Sequence, residues 1–266
     1  MATRRCRLTF IGTATVLLEL GPFTVLTDPN FLHRGQRAYL GHGLYSKRRT
    51  EPARTIDQLP ELDAIVLSHM HGDHWDRVAK RGLPHDLPVY TTPQAARALR
   101  RQHFTAAHPL PTWQDATLER DQHRLTVTAT PGRHAVGLAR HLLPPVMGSI
   151  LDYTGPDGAV LRLYISGDTL FVDDLRAIPE RFPDIDAAML HLGGTTLPGG
   201  MVVTMDAGQG ADLLDLVRPR LAVPVHNDDY GVFKSPLSAF LDETQRRGTR
   251  ASVRVVAPGE TIDLLD

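Results

Sequence analysis

Short apolar runs broken by glycine and proline recur along the chain, and their spacing predicts strands and helices in mixed succession. Residues 7–11, 15–20 and 23–27 read as strands joined by tight turns at Gly12 and Gly21-Pro22. Residues 28–55 follow no period and carry glycines and basic residues, so a long loop is expected, a kind of segment that is often functional. Residues 64–67 form a short β-run that stops abruptly at Ser68-His69-Met70-His71. Helices are expected over 75–81 and over 93–101, where Pro93 suits a first turn. Further β-runs cover 125–130, 149–153 and 160–165, the last two linked by a hairpin turn at Asp157-Gly158. The remainder predicts helix 172–178, strand 187–190, helix 205–217, strand 221–225, helix 236–246 and strand 252–256. In 205–217 the residues Ala207, Ala211, Leu214 and Val217 recur at helical spacing, and Pro219 stops the helix. Hairpins in each half, with helices following each β-rich stretch, predict an α/β fold. Its expected form is a four-layer αβ/βα sandwich over residues 1–266, two mixed β-sheets face to face with helices on the outer faces.

One segment changes the picture from fold to chemistry. Ser68-His69-Met70-His71-Gly72-Asp73-His74-Trp75-Asp76 follows directly on an apolar strand and is rich in residues that ligate transition metals. Borderline cations such as zinc favour imidazole nitrogen with a few carboxylate oxygens. His69 and His71 can face one ion while Asp73 and His74 turn toward a second, and Gly72 gives the backbone freedom for that turn. In Tyr164-Ile165-Ser166-Gly167-Asp168-Thr169 another β-run ends in glycine and a carboxylate, and Asp168 could bridge two metals. His134 after Pro131-Gly132-Arg133 and His226 after Val223-Pro224-Val225 also stand at the ends of β-runs. Strand ends in a layered sandwich converge on one edge, where ligand sites lie. His141 competes with His134, which is preferred because it follows its β-run directly. His191 and Tyr230 are candidate substrate contacts, Phe233 a candidate pocket wall, Asp28 a candidate for orienting a ligand histidine, and Trp75 is expected to pack under the loop.

Composition narrows the function classes. A formal net charge of −1 offers no steering toward nucleic acid or anionic membrane, and no stretch approaches the eighteen or so apolar residues of a membrane span. Lys47-Arg48-Arg49 and Arg246-Arg247 read as solvated surface, the alternative being a rim that attracts an anionic substrate. Cys6 is the one cysteine, which excludes an intrachain disulfide and a Cys-rich zinc site and suits a reducing compartment. Arg4 and Arg5 precede a stretch containing Gly12, Thr13, Thr15 and Glu19, which reads as strands and not as a signal peptide. A cytoplasmic location is expected.

His69-Met70-His71-Gly72-Asp73-His74 matches the HxHxDH hallmark of the metallo-β-lactamase superfamily, which the chain resembles over nearly its whole length. Residues 11–20 and Leu26-Thr27-Asp28-Pro29 are similar to the openings of the branch that holds ascorbate-6-phosphate lactonases and N-acylphosphatidylethanolamine phospholipases D. The resemblance implies His69, His71 and His134 on a first metal, Asp73, His74 and His226 on a second, and Asp168 bridging. It also implies two divalent ions, zinc foremost with manganese or iron possible. The expected activity is hydrolysis of a small ester, lactone or phosphodiester by a metal-bridging hydroxide, with Asp73 able to accept its proton. Two alternatives stay open: an iron-dependent oxidoreductase on the same fold, and a binding module without catalysis.

Overall fold

The computed structural model describes residues 6–137, 142–197 and 199–265. Near the start, β1 (Cys6–Gly12), β2 (Thr15–Leu20) and β3 (Phe23–Thr27) are followed by a small hairpin of β4 (Arg37–Tyr39) and β5 (Tyr45–Lys47). Next come β6 (Ala64–Leu67), β7 (Val89–Thr91) and β8 (Ala107–Pro109), with helices α1 (Arg77–Gly82) and α2 (Pro93–Arg101) between them. The second half opens with β9 (Asp115–Arg120), β10 (His123–Thr130), β11 (Gly148–Thr154) and β12 (Val160–Ile165). Helix α3 (Ala177–Arg181), β13 (Ala187–His191), the short pair β14 (Thr196–Leu197) and β15 (Met201–Val202), and α4 (Ala207–Val217) come next. The described chain closes with β16 (Leu221–Val225), α5 (Leu237–Arg247), β17 (Ser252–Val253) and β18 (Thr261–Asp263).

Two seven-stranded sheets result, ordered β18-β1-β2-β3-β6-β7-β8 and β17-β16-β13-β12-β11-β10-β9. Both are mixed: β3, β6, β7 and β8 are parallel to one another, as are β12, β13, β16 and β17, and the other neighbours are antiparallel. The apolar runs are continuous because the central strands are covered on both faces. In β2, Val16, Leu18 and Leu20 enter the layer between the sheets while Leu17 joins the outer cluster with α1 and α2. In β13, Ala187 and Met189 face that central layer, and Ala188 and Leu190 pack with α4 and α5 residues. This is the four-layer sandwich that the sequence predicts.

The helices end where local chemistry satisfies their backbone. Asp76 caps α1 by accepting from the amides of Val78 and Ala79 at 2.7 and 2.8 Å. Thr92 caps α2 ahead of Pro93, and Asp206 caps α4 through the Gln209 amide. The helix expected over 172–178 is a 3₁₀ turn at Asp173–Arg176 leading into α3. Strands β7, β8, β9 and β18 go beyond the sequence reading, and the segment 28–55 is not a plain loop, because it contains the β4–β5 hairpin. In the basic triplet at the end of β5, Lys47 and Arg49 are exposed but Arg48 is fully buried, which corrects its reading as solvated surface. Its guanidinium turns inward to donate to Asn30.

One consequence of the topology positions the site. β3, β6, β10, β12, β13 and β16 all deliver their carboxyl ends to one edge of the sandwich, the usual location of ligand sites in such sheets. Asp28, His69, His134, Asp168 and His226 follow those ends directly or within a few residues, and His191 is the last residue of β13.

Candidate metal centre

The structure brings together all seven residues expected as ligands, each of them buried; His71, at 8%, is the most exposed. Gly72 serves the loop differently from the expected turn freedom. A side chain there would place its Cβ 2.6 Å from the Tyr39 amide nitrogen, so glycine allows β4 to lie directly on the loop. The Gly72 amide in turn donates to the Tyr39 carbonyl at 2.8 Å. Gly167 has φ +60 with the Met147 carbonyl oxygen 2.5 Å from its Cβ position, so only glycine can turn the chain into Asp168.

Two nitrogen-rich clusters form. In the first, His71 Nδ1 lies 3.0 Å from both His69 Nε2 and His134 Nε2. An imidazole nitrogen carries either one proton or one lone pair in the ring plane, so it cannot make two good hydrogen bonds at once. In the second, His74 Nε2 and His226 Nε2 are 3.2 Å apart, with Asp73 Oδ2 3.4 Å from His226 Nε2. Asp168 connects them. Its Oδ2 is 3.2 Å from His74 Nε2, and with His69 and His74 it makes a further compact triad. Ligand atoms at the corners of a tetrahedron 2.0–2.1 Å from zinc would stand about 3.4 Å apart. The observed spacings approach that value.

Hydrogen bonding leaves the converging atoms free. His134 Nδ1 bonds the Val203 carbonyl, and His226 Nδ1 donates to the Leu192 carbonyl at 3.1 Å. A carbonyl only accepts, so in the neutral form both rings carry their proton on Nδ1 and present a lone pair at Nε2. His74 Nδ1 is 3.1 Å from Asp28 Oδ2. The Ser68 hydroxyl donates to Asp28 at 2.9 Å and is left to accept from His69 Nδ1 at 3.0 Å. Four histidines are thereby aimed with Nε2 inward. Asp73 Oδ1 and Asp168 Oδ1 are buried without a hydrogen-bond partner, an expensive arrangement unless something else binds there. The residues present fit a pair of divalent cations.

The electrostatics divide the clusters. Burial, the largest influence, pulls His69 well below the ordinary histidine value and lowers His71 to about 3, and burial also lowers His134. Burial acts the same way on His74 and His226, but the carboxylate of Asp168, aided by Asp73 at both and by Asp28 at His74, outweighs it and raises both. Burial would raise Asp168 and Asp73; the neighbouring histidines prevail and lower them.

His191 and Tyr230, expected at the substrate, are fully buried with their polar atoms turned to protein groups. His191 stacks on His74 at a ring separation of 5.9 Å, with Nδ1 at Ser166 Oγ and Nε2 3.4 Å from Asp28 Oδ2. Tyr230 donates to Asn30 Oδ1 at 3.0 Å. Both support the centre and present no surface to a ligand, which corrects the substrate-contact reading. Asp28 orients His74 and His191, in line with its expected role. Phe233 packs on the His226 ring at 4.3 Å, and Trp75 packs on Phe104 beneath the loop. His141 lies outside the described residues. Sequence reasoning missed Asn30, Arg48, Ser68 and Ser166, single polar residues with no local pattern to announce them.

With fold and site in view, the chain belongs to the Beta-lactamase superfamily domain family, whose match spans residues 24–227. It is similar to a UPF0173 metal-dependent hydrolase of Deinococcus radiodurans, 27% identical over 257 residues covering 96% of this chain and 97% of that one. Among solved structures it resembles a possible metal-dependent hydrolase from Veillonella parvula, with TM-score 0.82 at 20% identity and coverage of 97% and 99%. It also resembles an isothiocyanate hydrolase from Delia radicum gut bacteria, with TM-score 0.79 at 21% identity and coverage of 96% and 98%. No helix among the described residues is long and apolar enough to cross a membrane.

Proposed function

We propose that this protein is a metal-dependent hydrolase of small esters, lactones or phosphodiesters. Its two divalent cations, zinc foremost, would be held by His69, His71 and His134 and by Asp73, His74 and His226, with Asp168 shared. The observation that carries this reading is the inward aim of the Nε2 atoms, with the opposite ring nitrogen of His69, His74, His134 and His226 engaged by oxygen. The name of the Deinococcus relative supports it. Bound there, such a pair supplies water acidified toward neutral pH and Lewis acidity toward a carbonyl or phosphoryl oxygen.

The chain's own residues do the rest. Asp73 Oδ1, buried and unpartnered, is placed to accept a proton from the attacking water, and the lowered pKa of this carboxyl keeps it ionised at neutral pH. The buried setting excludes bulk water and strengthens each charge interaction within it. Asp28 and Ser68 keep His74 and His69 from rotating out of line.

Metal analysis paired with a nitrophenyl ester, a lactone and a bis-nitrophenyl phosphate tests the proposal. Two equivalents of divalent metal and turnover of at least one substrate, abolished by chelator, are expected. Redox-active iron without hydrolysis would replace this reading by the oxidoreductase, and metal-free protein that only binds would replace it by the module. Stripping the metal also removes ligand stabilisation. At free metal 100-fold above Kd, each site contributes about 2.7 kcal/mol. For a chain of this size that is about 5–10 °C in Tm, so calorimetry before and after chelation should show a drop of at least this order. An unchanged melting curve would contradict a metal tied to the folded state.

A further inference from the structure

The geometry points to Asn30 as the positioning residue that sets the offset between the His69–His71 pair and the Asp73–His74 pair, by holding the carbonyl of Gly72 between them. This rests on the metal-centre reading above and adds a group that ligates nothing.

Asn30 is fully buried and its amide is saturated. Nδ2 donates to the Gly72 carbonyl at 3.0 Å and to Asp76 Oδ2 at 3.1 Å. Oδ1 accepts from Arg48 Nη1 at 2.6 Å, from the Tyr230 hydroxyl at 3.0 Å and from the Thr13 hydroxyl at 3.4 Å. Three donors on one side and two acceptors on the other fix which end of the amide is oxygen. The three donors come from segments remote in sequence: the β1–β2 turn, the end of the β4–β5 hairpin and the loop after His226.

Arg48 gives this hub its direction. It is the largest fully buried side chain among the described residues, and it reaches both the backbone and the side-chain oxygen of Asn30 through Nη1. Its Nε and Nη2 have no hydrogen-bond partner, and no carboxylate stands within ion-pair distance of it among the described residues. A buried guanidinium donating to the side-chain amide oxygen, the shorter of its two contacts with Asn30, polarises that amide and strengthens its opposite N–H donors. Those donors act on Gly72, the one residue between the two ligand pairs. On the other side of the loop Asp76 Oδ2 receives Asn30 Nδ2 together with the Phe31 and Leu32 amides, so the strap is anchored at both Gly72 and Asp76. A displaced Gly72 carbonyl would swing Asp73 and His74 relative to His71, because nothing else separates the pairs.

The test uses Asn30→Asp and Tyr230→Phe in the full chain, reconstituted with cobalt(II) and titrated by absorption and metal analysis. Asn30→Asp keeps shape and gives Arg48 a carboxylate, but its second oxygen takes the place of the donor and faces the Gly72 carbonyl and the Asp76 carboxylate, so Gly72 loses its donor and Tyr230→Phe serves as the milder variant. Tyr230→Phe removes one donor to Asn30 and nothing else. Partners of this kind typically tune metal affinity 10–100-fold. Binding of the second equivalent is expected to weaken about that much in Asn30→Asp and less in Tyr230→Phe. The cobalt spectrum of the second equivalent should shift, and the first should stay within a few-fold. A role confined to stability would lower Tm and leave both equivalents at wild-type affinity, and that result overturns the inference. Should Asn30→Asp not fold, an unaltered second equivalent in Tyr230→Phe overturns it alone. Wild-type protein that takes up no second equivalent refutes the metal-centre reading itself, and this inference with it.

Discussion

Asp168→Ala is expected to lose metal from both clusters and more than about 100-fold in hydrolytic rate, beyond the usual effect of residues that merely orient ligands. His134→Ala, by contrast, is expected to empty the first cluster only. The difference follows from position. Among the ligand candidates His134 lies against His71 and His69, whereas Asp168 forms a triad with His69 and His74, one residue from each cluster. Its Oδ1 is buried without a hydrogen-bond partner, which suits an atom reserved for a cation. Stability should suffer less than activity. Stranding a charge by removing its buried partner typically costs about 3–5 kcal/mol, but His74 and His226 can release their protons when Asp168 is gone, so the cost falls below that range. Metal content and melting temperature of purified Asp168→Ala, with Asp168→Asn beside it, decide the matter. A fully metallated, active Asp168→Ala would remove Asp168 from the centre.

The residues proposed as ligands stood out in sequence for a physical reason. Metal chemistry needs several imidazoles and carboxylates within a few ångströms, and a loop leaving a buried strand supplies them as neighbours in sequence, as at His69–His74. The strands were legible where both faces are covered, since β2 and β13 then carry consecutive apolar residues, Val16 to Leu18 and Ala187 to Leu190. β9 escaped notice because it is an edge strand with mostly polar, exposed residues, and β7 and β8 because three residues carry no period. Arg48 was hidden by its neighbours: Lys47 and Arg49 are exposed, and alternation along an extended segment turns the middle residue of the triplet inward. Asn30 was illegible for a deeper reason. All its side-chain partners but Thr13 lie at least 18 positions away, so only the assembled fold defines its environment. His191 and Tyr230 were expected as substrate contacts and are buried; sequence proximity to a strand end does not distinguish a wall facing substrate from a group packed behind other side chains.

On acidification the second cluster should release its cation before the first. In the metal-free chain burial lowers His69, His71 and His134, His69 well below the ordinary histidine value and His71 to about 3. These rings accept a cation without first losing a proton. His74 and His226 are raised above the ordinary histidine value, because Asp168 and the nearby carboxylates hold their protons against the pull of burial. A cation must expel those protons, so its affinity in the second cluster begins to fall already above pH 6.5, the unperturbed value. The stability of the stripped protein runs the other way. A raised histidine stabilises the fold fully below its unfolded pKa and loses that contribution as pH climbs through the folded value. The depressed histidines of the first cluster act below pH 6.5, where the unfolded chain takes up protons that the folded one refuses. The gap in Tm between metallated and stripped protein should therefore widen from about pH 6.5 upward. Dialysis against metal buffers from pH 8 to pH 4, with metal counted at each step, should give two separate losses and hydrolysis that fails with the earlier one. A single concerted release, or a rate that stays flat down to pH 4, would show that the Asp168 carboxylate does not hold protons on His74 and His226 in this way.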